Sequence, residues 1–82
     1  MISGMQIKLA RTALGWSVRE LAEKADVSFN TVTRFENGAG AHSKTINALE
    51  QTLVGAGIEF IPEGTYQGQG GAGVRFRKRK SS

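Results

Sequence analysis

Along the first 57 positions apolar residues return every three or four places, the repeat of one buried helical face, and after Gly57 they alternate as in strands. Ile7, Ala10 and Leu14, with Arg11 on the same side, predict a helix over about 5–14 that Ser3 can cap and Gly15 can stop. Ser17-Val18-Arg19-Glu20 reads as a capping box, in which the Ser17 hydroxyl accepts from the Glu20 amide and the Glu20 carboxylate accepts from the Ser17 amide. A second helix therefore starts at Val18, with Leu21, Ala22 and Ala25 inward and Arg19, Glu23 and Lys24 in water. Asp26-Val27-Ser28 supplies a residue that tolerates a left-handed backbone, an apolar staple and a new N-cap, so only a tight turn fits there.

Ser28 opens a third helix whose inward residues are Val32 and Phe35, and Asn37-Gly38-Ala39-Gly40 closes it. A fourth starts at His42-Ser43 with Ser43 as its expected N-cap, turns Ile46, Leu49, Leu53 and Val54 to one side, and breaks at Gly55-Ala56-Gly57. Ile58-Glu59-Phe60-Ile61, stopped by Pro62, and Val74-Arg75-Phe76-Arg77 predict two short strands around a glycine-rich segment. An isolated hairpin is marginal in water, so these strands must pack on the helices or pair with those of a second subunit. Pairing with a second subunit is the expectation, with Ile58, Phe60, Ile61, Val74 and Phe76 as the dimer interface. The fold class expected is mainly α, four or five helices followed by a short C-terminal β-hairpin. The chain divides into helices over 1–57, strands and loop over 58–77, and a basic tail over 78–82.

The third helix has an unusual surface. Its outward positions are Phe29, Asn30, Thr33, Arg34 and Asn37, where a solvated helix would carry Glu, Lys, Gln or Ala, which lose little rotamer freedom on entering a helix. A helix, a tight turn and a second helix with a polar and aromatic face is the geometry that places one helix in the major groove of DNA. Asn bonds bidentately to adenine, Arg to guanine, and Phe or a Thr methyl meets the thymine methyl. Short Thr side chains allow close approach. The competing reading is a helical hairpin whose exposed Phe29 packs on a protein partner.

The stretches Leu21-Ala22-Glu23-Lys24-Ala25, Val27-Ser28 and Phe35-Glu36-Asn37-Gly38 carry a resemblance spread over three helices. Residues 7–53 resemble the helix-turn-helix domain of the lambda-repressor/Cro-like (XRE) transcriptional regulators. The resemblance implies a lambda-repressor-like fold that binds double-stranded DNA. It implies base contacts from Phe29, Asn30, Thr33 and Arg34, and sugar-phosphate contacts from Ser28, Thr31, Asn37, Ser43, Lys44 and Thr45. It also implies a structural ion pair between Arg11 and Glu36. Two positions depart from the family pattern: a frequent glutamine at the start of the second helix is Val18, and a frequent turn glycine is Asp26.

Charge adds a second candidate interface. Of the formal +4 carried by 82 residues, the stretch 1–73 contributes a net −1. Arg75, Arg77, Lys78, Arg79 and Lys80 form a cluster that suits a basic arm along the DNA backbone or in a minor groove, against the plainer reading of a solvated tail. A chain this short buries only about 60% of its unfolded surface, so dimerisation would help it, and with no cysteine neither disulfides nor a thiolate metal site can. No apolar run reaches a membrane span and no leader pattern stands at the N-terminus, so the expected location is cytoplasmic and no membrane partner is expected.

Enzymatic readings find little. His42 is the single histidine, no motif brings two carboxylates together, and Trp16 reads as packing between the first two helices rather than as a base-stacking platform. No metal and no cofactor are expected. The resulting expectation is a small bacterial or phage-type regulator, a repressor or activator, that binds as a homodimer to an inverted repeat with half-sites about 34 Å apart. The alternative is a protein-interaction module, such as an antitoxin or antiactivator, with a regulatory protein as partner.

Overall fold

The computed structural model describes residues 2–61 and 73–76. In chain order these form α1 (Gly4–Leu14), α2 (Val18–Ala25), α3 (Phe29–Glu36), α4 (Ser43–Gly55), β1 (Ile58–Ile61) and β2 (Gly73–Phe76).

The first three helices use one local scheme. Ser3, Ser17 and Ser28 are their N-caps, each accepting a backbone N–H from three residues on, and the first two are full capping boxes closed by Gln6 and Glu20. An apolar residue precedes each cap (Ile2, Trp16, Val27) and another stands four positions into the helix (Ile7, Leu21, Val32), the spacing of a hydrophobic staple; all six belong to the core or pack on it. Each helix then ends on a left-handed residue, Gly15, Asp26 or Gly38. After α3 the Ala39 N–H donates to the Arg34 carbonyl and the Gly38 N–H to that of Phe35, which satisfies the carbonyls at the helix end.

The fourth helix departs from the expectation. His42, not Ser43, is its N-cap: the Ile46 N–H donates to the His42 carbonyl at 3.0 Å, so the first turn is already closed one residue earlier. The imidazole makes no capping bond, and no side chain among the described residues caps the first amides of α4.

Ile7, Ala10, Leu21, Ala22, Val32, Phe35, Ile46, Leu49 and Leu53 form the core together with Ile2 and Ile58. Val54, expected at the same face of α4, is only half-buried. Two features of α1 that periodicity does not reveal lock it into place. A Cβ on Gly4 would collide with the Phe35 carbonyl oxygen, so α1 meets the end of α3 backbone to backbone. Gln6 is buried; its Oε1 accepts from the Ser3 N–H, and its amide donates to the carbonyls of Ile61 and Gly73 at 3.2 and 3.1 Å.

Those last bonds fix the hairpin. β1 and β2 pair antiparallel with Ile58 opposite Phe76, Glu59 opposite Arg75 and Phe60 opposite Val74. Cross-strand partners share a face, so Ile58, Phe60, Val74 and Phe76 all lie on the side turned to α1 and α4. The two strands thus pair with each other and pack on their own helices. Ile58, expected at a dimer interface, is 1% exposed inside the core, and Phe60 and Val74 pack against that core. Ile61 is half-buried beside the Gln6 amide, and of these five residues Phe76, 56% exposed, offers the largest apolar surface. The second strand begins at Gly73, one residue before the expected start, and Arg77 lies outside the described residues.

Candidate nucleic-acid interface

The outward face of α3 is set by what the inward face must bury. Val32 and Phe35 enter the core, and this rotation leaves Asn30, Arg34 and Asn37 turned away from it and Phe29 44% exposed. Thr33 is half-buried, and its hydroxyl oxygen is shielded from solvent and has no hydrogen-bond partner among the described residues.

At the start of α3 the Ser28 hydroxyl accepts the Thr31 N–H at 3.1 Å and lies 2.7 Å from the Thr31 hydroxyl. Whichever hydroxyl donates within this pair, the other keeps its proton for an outside acceptor such as a phosphate oxygen. Beyond α3 an open depression is lined by Thr31, Arg34, Gly40, Ala41, His42 and Thr45, so the basic end of α3 adjoins the start of α4. Ser43 and Lys44 are exposed there and Thr45 is half-buried, beside amides that no side chain among the described residues caps. Positive helix N-terminal charge, unsatisfied N–H donors and the Lys44 ammonium all suit a phosphate.

The orientation of α3 is held by Arg11, whose Nε and Nη2 donate to the two carboxylate oxygens of Glu36 at 2.8 and 2.9 Å. Nη1 of Arg11 donates to the Trp16 carbonyl at 3.0 Å, which ties the turn after α1 into the same contact. The two side chains are 14% and 6% exposed. Hydrogen bonding to Glu36 raises the Arg11 guanidinium above its ordinary value, against the desolvation that burial imposes. Glu36 is thus neutralised by its partner and leaves Arg34 as the unopposed charge of α3. Trp16 packs on the core, with the Lys24 ammonium 4.9 Å from its ring centroid.

The candidate basic arm is divided by the structure. Arg75 stands on β2 and donates to Glu59 across the hairpin, so it is a strand residue with a carboxylate partner. Arg77, Lys78, Arg79 and Lys80 lie outside the described residues. Among the described residues no cluster of His, Asp or Glu is fit to hold a metal ion, and no helix is long and apolar enough to cross a membrane.

Helix α2, the turn at 26–28 and α3 form a helix-turn-helix, supported behind by α1 and flanked by α4. This is the class of module that lays its second helix in the major groove. The helix-turn-helix family model matches residues 7–53, more than half of the chain. The protein belongs to that family and is a lambda-repressor/Cro-like, XRE-type DNA-binding regulator. No match was found among curated proteins.

Proposed function

We propose that the protein is a sequence-specific transcriptional regulator that inserts α3 into the major groove of double-stranded DNA, two copies binding an inverted repeat. The observation that carries this reading is the surface of α3: Phe29, Asn30 and Arg34 project from a helix whose other side is fixed in the core. Asn30 suits adenine, Arg34 suits guanine and Phe29 suits a thymine methyl. Ser28, Thr31, Asn37, Ser43, Lys44 and Thr45 surround this face, where phosphate contacts would set its register. Thr33 contributes through its methyl group if it meets a base, since its hydroxyl is turned inward.

The homodimer follows from the size of the module rather than from the hairpin core. One helix reads only a few base pairs, and a second copy related by a two-fold axis doubles the site. With Ile58 enclosed, the hairpin's contribution falls to Phe76 and the outer parts of Phe60, Ile61 and Val74. Selection of bound duplexes from a random pool tests the reading. The expected product is an inverted repeat with half-site centres about 34 Å apart, one duplex turn. A pool that shows no enriched sequence would favour a module that binds a protein partner instead.

A further inference from the structure

Phe29 is the first residue of α3, and its exposed ring is not bare. From the first turn of α2 the guanidinium of Arg19 reaches over it, 5.3 Å from the ring centroid. Sequence periodicity places Arg19 simply in water. In the structure it flanks a shallow groove with Glu23, Asp26, Ser28 and Phe29, and it has no carboxylate partner among the described residues. Its neighbour Glu20 is committed to the Ser17 amide at 2.8 Å. The contact that positions Arg19 is therefore the aromatic face.

The contact with the ring is electrostatic, and the Arg19 N–H donors have no hydrogen-bond acceptor among the described residues, so they stay available. Those donors match two phosphate oxygens in a parallel pair of bonds. The first helix of a helix-turn-helix crosses the sugar-phosphate backbone while the second enters the groove, which puts the first turn of α2 beside phosphates. The preceding residue, Val18, packs partly on the core and has no donor in its side chain. We propose that Arg19, held by the ring of Phe29, is a phosphate-binding residue that provides from the second position of α2 the backbone contact Val18 cannot make from the first. Phe29 then has two functions, as the start of the base-reading face and as the platform that holds a cation at its edge. Holding the side chain in place before binding reduces the entropy cost of ordering it on association.

This inference rests on the reading that α2 and α3 bind duplex DNA, and the test separates the two. Binding of the full chain to a fluorescent random-sequence duplex is measured by anisotropy across a range of salt for the wild type, Arg19→Ala and Phe29→Leu. The expected slope of log affinity against log salt for Arg19→Ala is shallower by about 0.9, the change for one phosphate no longer neutralised. Phe29→Leu, which changes no charge, is expected to make the slope shallower as well, because the guanidinium is no longer held. Thermal midpoints of both variants should stay at the wild-type value, since both side chains are at the surface. Wild-type binding with an unchanged slope in Arg19→Ala overturns the assignment of Arg19 alone, and an unchanged slope in Phe29→Leu overturns the platform. A wild type that binds at no salt concentration overturns the DNA-binding reading itself.

Discussion

Gly4 occupies a place where no side chain fits, because a Cβ there would run into the Phe35 carbonyl oxygen. In an open helix Gly→Ala stabilises by up to about 1 kcal/mol. Here the sign reverses: Gly4→Ala must push α1 off the backbone of α3, and should destabilise by about 1–3 kcal/mol, read as a lower urea midpoint at unchanged m-value. A midpoint at or above wild type would mean that α1 and α3 do not approach so closely. The serine caps and the left-handed Gly15, Asp26 and Gly38 are readable from sequence, because capping is chemistry among residues three or four apart. Gly4 and Gln6 are not, since their neighbours are Phe35, Ile61 and Gly73, and a linear pattern carries no information about who lies across the fold. The Ser3-to-Gln6 spacing is the one signal in the sequence for Gln6, and it reveals the cap without the hairpin contact. Ser43 fails for a related reason: a serine at a helix start is an ordinary N-cap, yet the backbone bond from Ile46 to His42 sets the start one residue earlier.

At the scale of elements, two polar contacts decide how α1 meets the rest. Arg11 joins α1 to the end of α3 and to the turn after α1, and Glu36 has little other solvation. Glu36→Ala leaves a partly buried guanidinium without its carboxylate and should cost about 3 kcal/mol, whereas Arg11→Met with Glu36→Leu should cost distinctly less because neither charge remains. Urea titration of the single and double variants tests this; equal destabilisation would show that packing, not charge, is what the pair contributes. Because the Arg11 value is raised in the fold, its stabilisation is fully present at neutral pH and is lost only as strong alkali removes the proton. Gln6→Leu removes the amide from the Ile61 and Gly73 carbonyls, which should cost about 1–3 kcal/mol and speed hydrogen exchange of the β1 and β2 amides ahead of the helices. Exchange that rises equally in helices and strands would show that the hairpin is not held by this residue. Both strands are legible in the alternation of 58–61 and 74–77, but where they dock is not. Alternation states only that one face is buried, and cannot say whether by its own helices or by a second subunit.

For the whole molecule, charge and shape are separated along the chain. The described residues present few free cations on the α2–α3 side, chiefly Arg19, Arg34 and Lys44, because Arg11 and Arg75 are held by Glu36 and Glu59. Nonspecific affinity grows with the number of phosphates neutralised, so the remaining basic residues at 77–80 are expected to add to it. Removing residues 77–82 should flatten the salt dependence of binding by about 0.9 for each phosphate no longer neutralised, with the sequence preference kept. An unchanged slope would show that these residues do not act as a basic arm. That α3 reads bases through Arg34 and its neighbours is tested most directly by comparing duplexes selected from one random pool by the wild type and by Arg34→Ala. The variant is expected to select the same inverted repeat with one position of each half-site relaxed, and to bind the wild-type site about 1–3 kcal/mol more weakly. An identical preference at every position in the two selections would contradict base reading by Arg34.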